Sequence, residues 1–307
     1  MSGLGPMMAG RQPSPKRRVS GQGRFAPAPA GWPGRLVIRR VFRRPAAWIG
    51  AFLVGLALVA AIGAPWLAPY PPNAIDLAGQ LLPPGTTHLL GTDFYGRDMA
   101  SRLLYGARAT LSVALVALGI SLLAGTVVGL IAGYSTGWLG QMWVALLDLL
   151  LAFPALLLAL LIVALMGADL RSLAVAVGVA GIPGYARVVR STVLTLRSAP
   201  YVDAARAIGA STFRILRRHL LPGVLAPAIA VGTLDFGRAV LYVSALGFLG
   251  LGASPPQAEW GLMLFEGRGY LAEAPWASVA PGLAITLTAL GVTLLGDAVS
   301  DALAPGR

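Results

Sequence analysis

Very few side chains in this sequence could carry out catalysis or hold a metal. There is no cysteine, which excludes thiol nucleophiles, disulfides and thiolate metal sites. The two histidines, His88 and His219, are far apart in the chain, so a histidine-based zinc site is not expected. The only lysine, Lys16, lies outside the glycine-rich sequence that a phosphate-binding P-loop requires. We therefore expect no enzyme activity, no metal and no ATP site in this chain.

The composition is that of a membrane protein. Hydrophobic residues make up 56% of the 307-residue chain and charged residues 12%, against roughly 25% charged residues in soluble domains. The net charge of +12 comes almost entirely from arginine, which could indicate nucleic-acid binding. The arginines stand in blocks between apolar stretches, however, a pattern typical of the cytoplasmic face of a membrane protein. We expect the partner of this chain to be a lipid bilayer and not a nucleic acid.

Six apolar stretches approach the roughly 20 residues that a membrane-spanning helix needs. The third contains Pro154, and the fourth is short, with Gly178 and Pro183 near its end. Both residue types are tolerated in membrane helices where neighbouring groups satisfy the backbone. The sequence thus predicts an all-α, polytopic membrane protein with six transmembrane helices. The predicted spans are residues 46–67, 109–133, 142–166, 170–185, 224–249 and 279–299.

The distribution of charge predicts the orientation. Residues 1–44 contain ten basic residues and no acidic one, which indicates a disordered cytoplasmic tail, either solvated, as we favour, or bound to anionic lipid. Six spans would then leave both termini in the cytoplasm. Residues 45–106 would form the first transmembrane helix and an extracytoplasmic segment, and residues 107–301 would hold five helices. Between the fourth and fifth spans lies a basic loop, residues 186–222, with seven arginines against Asp203.

Part of this loop, residues 201–222, has the pattern of two short helices joined by a turn. Pro200 can open the first helix, and Gly209 can end it in a left-handed conformation. Ser211 can cap the second helix and Pro222 can close it. We expect the pair to lie along the inner face of the membrane.

These helices would be amphipathic, with most arginines away from one apolar side. One interpretation is an interfacial helix that anchors itself among lipid headgroups, and the other is a docking surface for a partner protein. The small Ala204 and Ala205 beside Asp203 favour docking, because they permit close approach. The predicted apolar side consists of Val202, Ala205, Ile208, Thr212, Phe213, Leu216 and Leu220.

The sequence "DAARAIG" followed by "HLLP" resembles a motif of ABC importer membrane subunits: Glu-Ala-Ala, three residues, Gly, nine residues, Ile, one residue, Leu-Pro. Asp203 stands in place of the usual Glu. His219 stands in place of Ile, as tends to occur in the peptide-importer branch, and Gly223 stands where that branch usually has Asn. The resemblance implies cytoplasmic coupling helices that insert into a cleft on an ATPase subunit. The residues expected to dock there are Asp203, Ala204, Ala205, Arg206, Gly209, Phe213, Leu221 and Pro222.

Other stretches are similar to the permeases of dipeptide, oligopeptide and nickel importers. These include "HLLGTDFYGRDMASRLLYGARATL" at residues 88–111 and "GFLGLGASPPQAEWGLML" at residues 247–264. The resemblance covers about residues 35–305 and is closest to the second of the two permease types. At the carboxyl end, Ser300 and Ala304 replace an Arg and an Asp that the family commonly has.

This resemblance implies a permease subunit of an ATP-driven, binding-protein-dependent importer in the cell (inner or plasma) membrane. Its cargo would be peptides or nickel chelates. Its partners would be a homologous permease, two ATPase subunits that bind the ATP, and an extracytoplasmic substrate-binding protein. The alternative is a structural or assembly protein of the membrane that uses its basic loop as a lipid anchor.

An outer turn, "GTDFYGRD", carries Asp93, Arg97 and Asp98 between glycines. Solvated charges on a surface turn are one interpretation. A contact with the binding protein, or a gate on the outer side, is the other, because loops commonly carry such roles.

Two charged sites lie within apolar stretches. Asp148 is in the third stretch, and Asp235 is in the fifth, three residues before Arg238 and on the same helix face. Charges inside a membrane commonly mark a functional site. A paired charge can also be architectural, and we favour this second interpretation for Asp235 and Arg238.

Overall fold

A computed structural model of the chain describes residues 39–303, so most of the predicted basic tail lies outside the described residues. Over this range the chain is almost entirely helical, with one isolated bridge between Thr92 and Asp98 and no strand. The helices are α1 Pro45–Leu67, α2 Met99–Tyr134, α3 Gly137–Ala152, α4 Ala155–Met166, α5 Leu170–Leu196, α6 Pro200–Ala207, α7 Thr212–Ile215, α8 Leu221–Phe248, α9 Trp260–Gly267 and α10 Trp276–Leu303.

Five helical stretches are long and apolar enough to cross a membrane: α1, α2, α5, α10 and the stretch Thr212–Phe248 that contains α8. The bent pair α3 and α4 makes a sixth span when it is counted as one, which agrees with the prediction. The predicted third span is not one straight helix, since α3 and α4 meet at 90°. Pro154 causes the break, because it has no N–H and holds Phe153 in an extended conformation, φ −85° and ψ 134°.

The fourth span is longer than predicted. Its glycines do not end α5, which continues to Leu196, so residues 186–196 of the predicted loop are helical. Gly178 and Gly181 instead let α5 approach α2 closely. A Cβ at Gly178 would lie 2.8 Å from the Cβ of Ile120, and one at Gly181 would lie 2.3 Å from the hydroxyl oxygen of Ser121. Small residues of this kind allow membrane helices to pack without a gap.

The centre of the bundle is the contact between α2 and α5. Gly125, Gly129 and Gly133 recur every four residues on α2 and pack against α5. A Cβ at Gly125 would lie 2.4 Å from the Cβ of Tyr185, and one at Gly129 would lie 2.6 Å from the Cβ of Val189. The two helices therefore run parallel, and their carboxyl ends lie at the same end of the bundle.

The two ends of the bundle can be told apart by their contacts. α8 runs antiparallel to α5, since Gly223 meets Leu196 at the start of α8. α10 is in turn antiparallel to α8, and its end pairs with the start of α1 through Arg44 and Asp301. The start of α1, the carboxyl ends of α2, α5 and α10 and the start of α8 thus share one end. The long connection before α2 and the α9 region share the other.

Candidate functional site

The amphipathic segment, residues 200–222, lies at the end of the bundle where α5 ends and α8 begins. After α6 the chain turns at Gly209, whose φ of +78° is a left-handed conformation that glycine adopts without strain. The hydroxyl oxygen of Ser211 then caps α7 by accepting a hydrogen bond from the Arg214 N–H at 3.4 Å. The helix–turn–helix predicted from Gly209 and Ser211 is confirmed.

The prediction that Pro222 ends the second helix is wrong. α7 continues through a π-helical turn, Leu216–Leu220, directly into α8, and Pro222 lies in the first turn of α8. The Leu221 N–H bonds to the Leu216 carbonyl, five residues back. A proline has no N–H to donate and crowds the preceding turn, and the wider π turn accommodates it. The amphipathic segment thus continues into a membrane span without a break in the helical backbone.

One face of the segment is buried. Val202, Ala205 and Leu220 pack against Val189 and Val193 of α5. Ile208 and Phe213 were predicted on this same apolar side, which is wrong: they are 86% and 70% exposed. Ile208 follows the last residue of α6, so the helical period on which the prediction rested has ended there.

The predicted docking residues therefore divide between two faces. Ala205 is buried and Leu221 is half-buried, so they attach the segment to the bundle. Asp203 and Arg206 are exposed and form an ion pair of 3.2 Å. The remaining exposed members are Ala204, Gly209, Phe213 and Pro222. Exposed Phe213 and Ile208 among arginines at the end of the bundle have the composition of a protein interface.

The turn at Gly209 yields a prediction. Gly209→Ala is expected to lower stability by about 1 kcal/mol or more, because a residue with a Cβ is strained in the left-handed conformation. Steric contact is not the cause, since a Cβ there would meet open space. Thermal unfolding in detergent measures the effect. Gly184→Ala is the matched control, because Gly184 has open space and no left-handed φ. An equal effect of both variants would contradict the prediction.

A second polar cluster lies at the opposite end of the bundle. Arg97 Nε donates to Asp93 Oδ2 at 2.6 Å, and an Nη2 of each of Arg97 and Arg102 donates to Glu266 Oε2 at 2.8 Å. Arg102 Nε lies 3.4 Å from Asp93 Oδ2. We call these four residues the outer ionic cluster, after the side of the membrane on which the sequence predicts them. It joins the connection before α2 to α9, and all four side chains are largely buried.

Asp98 lies beside this cluster and fixes the start of α2. Its Oδ2 accepts hydrogen bonds from the Ser101 N–H and the Ser101 hydroxyl, each at 2.7 Å. Its Oδ1 lies 2.9 Å from His88 Nδ1. Asp93, Arg97 and Asp98 are thus buried, and the interpretation as solvated surface charges is wrong. The sequence could not distinguish the two interpretations, because both predict a turn with glycines and charges. The residue that pairs with Arg97 beyond this turn, Glu266, is distant in the sequence.

A cavity of about 340 Å³ adjoins the outer ionic cluster. Beside the charged groups its wall includes Phe94, Tyr95 and Tyr270. Phe94 and Tyr270 stack with their ring centres 4.7 Å apart, and the Arg97 guanidinium lies 4.6 Å from the centre of the Tyr95 ring. The wall of this cavity therefore combines aromatic rings with the charged groups of the cluster.

Sequence reasoning missed Glu259, which is fully buried and caps α9. Its Oε1 accepts from the Thr110 hydroxyl at 2.8 Å and the Gly261 N–H at 2.9 Å, and its Oε2 accepts from the Leu262 N–H at 2.8 Å. Burial raises the pKa of the Glu259 carboxyl above its ordinary value, and these hydrogen bonds oppose the rise. The acidic residue before "WGL" is the local signal that could have indicated a helix cap.

Glu259 gives a prediction about pH. A raised pKa in the folded state means that the folded protein binds more protons than the unfolded chain between the two pKa values, so its stability falls as pH rises through that range. We expect the Tm of the wild type minus that of Glu259→Gln to decline as the pH rises above about 4.3, the ordinary pKa of a glutamate carboxyl. Thermal unfolding in detergent measures this difference, and a constant or rising difference would contradict the prediction.

The charged sites within the apolar stretches are both ion-paired. Asp148 of α3 pairs with Arg187 of α5 at 3.2 Å, and both are exposed. Asp235 and Arg238 of α8 pair at 2.7 Å. Within residues 39–303, no three His, Asp or Glu side chains lie together as a metal site would need.

One sequence of the type Gly-x-Ser-x-Gly occurs at residues 133–137, at the end of α2. In hydrolases this pattern places the serine on a turn between a strand and a helix. Here Ser135 lies between two helices, α2 and α3, and its own N–H continues the backbone bonding of α2 to the Ile131 carbonyl. The local geometry is therefore not that of a nucleophile elbow.

Fold and site together define a multi-pass helical membrane protein with an amphipathic segment at one end and an ionic cluster at the other. The family model described as "Binding-protein-dependent transport system inner membrane component" matches residues 125–307. A second model, the N-terminal transmembrane domain of oligopeptide transport permease C, matches residues 33–84. The chain belongs to the family of binding-protein-dependent transport system inner membrane components, and it is a transport permease.

Relatives with high identity extend over most of the chain. The dipeptide transport system permease DppC of Alkalihalophilus pseudofirmus is 40% identical over 89% of this chain and 90% of its own length. The di/tripeptide permease DppC of Pseudomonas aeruginosa is 42% identical over 84% and 87%. The glutathione permease GsiD of Escherichia coli O1:K1 is 41% identical over 87% and 88%.

Solved structures confirm the fold. Two inward-facing crystal forms of the MetNI methionine ABC transporter contain a chain that is 21% identical to this one, with TM-scores of 0.54 and 0.55. The likeness covers 66% and 67% of this chain and 96% and 98% of the other. The helical arrangement described here is therefore the fold of that chain over about two thirds of the present sequence.

Proposed function

We propose that this chain is one of two homologous permease subunits of an ATP-driven importer of short peptides. Relatives named for dipeptides, di/tripeptides and glutathione all have about the same identity to it, which supports peptides as the class of cargo over nickel chelates. The chain itself performs no covalent chemistry and binds no cofactor. ATP is bound by two ATPase subunits, and a binding protein on the extracytoplasmic side delivers the peptide.

The observation that carries this proposal is the two-faced amphipathic segment. One face is packed against α5, and the other offers Ile208 and Phe213 to a partner. Because the segment continues into α8 without a break, a movement of the partner is transmitted to a membrane span. A lipid anchor would explain the exposed apolar groups but not membership of a transport family, so the structural alternative is not favoured.

The orientation follows from the same segment. An ATPase binds cytoplasmic ATP, so the end with the amphipathic segment is cytoplasmic, and both chain termini lie on that side. Residues 1–44 are then a basic cytoplasmic tail, residues 45–106 supply the first span and the outer connection, and residues 107–301 hold the other spans. The outer surface around Asp93, Arg97 and Asp98 faces the binding protein. These charges support the aromatic wall of the outer cavity, and that wall forms the contact with the binding protein or a gate on the outer side.

Uptake by proteoliposomes tests the proposal. The chain is reconstituted with its second permease and two ATPase subunits, and a labelled dipeptide is supplied together with the binding protein. We expect uptake only when ATP is on the side of the amphipathic segment and the binding protein is on the other. Uptake without ATP, or none with every component present, would contradict the proposal.

A further inference from the structure

The ion pair of Asp235 and Arg238 lies near the middle of α8, within a stretch long and apolar enough to span a membrane. Asp235 is the fifteenth residue of the 28-residue α8, so about 20 Å of helix separates it from either end at 1.5 Å per residue. Arg238 is nevertheless 67% exposed, whereas Asp235 is 18% exposed. An exposed guanidinium at this depth cannot face lipid without a large free-energy cost. The face of α8 that carries Arg238 must therefore face water or another protein, as the wall of a path between two permeases does.

A cavity with a mostly apolar wall and a few polar groups opens at this ion pair. It has a volume of about 190 Å³, and its wall includes Tyr185, Asp235, Arg238 and Tyr242. Tyr185 is buried, and its hydroxyl has no hydrogen-bond partner among the described residues. A buried hydroxyl without a partner is costly unless something else bonds to it. Gly232, one turn before Asp235, makes room for this hydroxyl: a Cβ there would lie 2.7 Å from it.

Asp235 and Arg238 have different roles in this ion pair. Asp235 holds the guanidinium at 2.7 Å from one side. A guanidinium has five N–H donors, and within residues 39–303 the ion-pair partner of Arg238 is Asp235 alone. Donors therefore remain for an anionic group in the path. Carboxylates match this fork geometry by accepting two parallel hydrogen bonds.

We infer that Arg238, positioned by Asp235, binds a carboxylate of the transported substrate, with the Tyr185 hydroxyl as a further hydrogen-bond donor in the same cavity. This inference rests on the proposed function. Every unmodified peptide ends in a carboxylate that is ionised at neutral pH, so the site suits peptides of different side chains. Arg238 is the binding residue, and Asp235 is a positioning residue.

Uptake by the complete complex tests the inference. Arg238→Gln is expected to lower dipeptide uptake at low substrate concentration by about 10- to 100-fold, while the second permease and the ATPase subunits still co-purify. The reversed pair, Asp235→Arg with Arg238→Asp, should not restore uptake, because a carboxylate would then face the carboxylate of the substrate. Arg187→Gln is the matched control, since it breaks an exposed Arg–Asp pair elsewhere, and should leave uptake near that of the wild type.

Three results would overturn the inference. Wild-type uptake by Arg238→Gln would show that the guanidinium binds no substrate. Restoration by the reversed pair would show that the ion pair is only structural. Loss of the second permease from the Arg238→Gln complex would show that Arg238 contacts that subunit instead. A wild-type complex that moves no dipeptide at all would instead contradict the proposed function.

Discussion

Replacing Ile208 and Phe213 together by aspartate is expected to abolish binding of the ATPase subunits and to stop transport. Both side chains are well exposed on the amphipathic segment and make little contact with the bundle. Truncating a central apolar residue of an interface costs about 2 kcal/mol or more, and an introduced charge adds desolvation, so affinity should fall by at least about 100-fold. Co-purification of the ATPase with the solubilised permease pair measures this.

The control for this variant is Leu271→Asp. Leu271 is also exposed, but it lies between α9 and α10 at the opposite end of the bundle. It should leave ATPase binding unchanged, and both variants should reach the membrane at normal levels. Normal ATPase binding by the double aspartate variant would mean that the segment contacts lipid. Another surface of the permease would then couple it to conformational changes of the ATPase.

Glu266→Gln, which replaces a carboxylate by a neutral amide of the same shape, is expected to destabilise the outer end of the protein strongly. Two buried guanidinium groups, those of Arg97 and Arg102, would be left to share the carboxylate of Asp93. Removing one member of a buried ionic network costs about 3 kcal/mol. For a chain of this size that corresponds to a fall in Tm on the order of 5 °C.

Glu273→Gln is the matched control, because the same change is made at an exposed glutamate a few residues away. Thermal unfolding in detergent should separate the two variants clearly. We also expect Glu266→Gln to reduce transport stimulated by the binding protein, because the aromatic wall beside the cluster loses its support. Equal Tm values for the two variants would show that the outer ionic cluster does not hold this end together.

Local signals made the amphipathic segment predictable from the sequence. A left-handed turn at Gly209 and a cap at Ser211 depend only on residues next to them, and both are present. Which face would be buried was harder, because α6 ends just before Ile208 and the apolar period no longer applies. The amphipathic pattern and the small alanines indicated docking, the motif resemblance named an ATPase as the partner, and the exposure of Phe213 supports a docking surface.

Other features depend on residues far apart in the chain, which no local pattern contains. Arg102 and Glu266 are separated by 164 positions, and the fold alone brings them together. The angle between α3 and α4 at Pro154 also could not be predicted. A proline predicts a break in the helix but not a bend of 90°. Glycines such as Gly178 were interpreted as the end of a helix, but they are contact points between helices. The sequence alone does not distinguish these roles, because the contacts are with another helix.

Site-specific crosslinking tests the central claim most directly. Because the sequence has no cysteine, Ile208→Cys and Leu271→Cys each provide one unique thiol for a photoreactive maleimide. In the assembled complex, we expect the label at position 208 to crosslink to an ATPase subunit, and the label at position 271 not to do so. An ATPase crosslink from position 271, or none from position 208, would contradict both the docking surface and the orientation proposed for this permease.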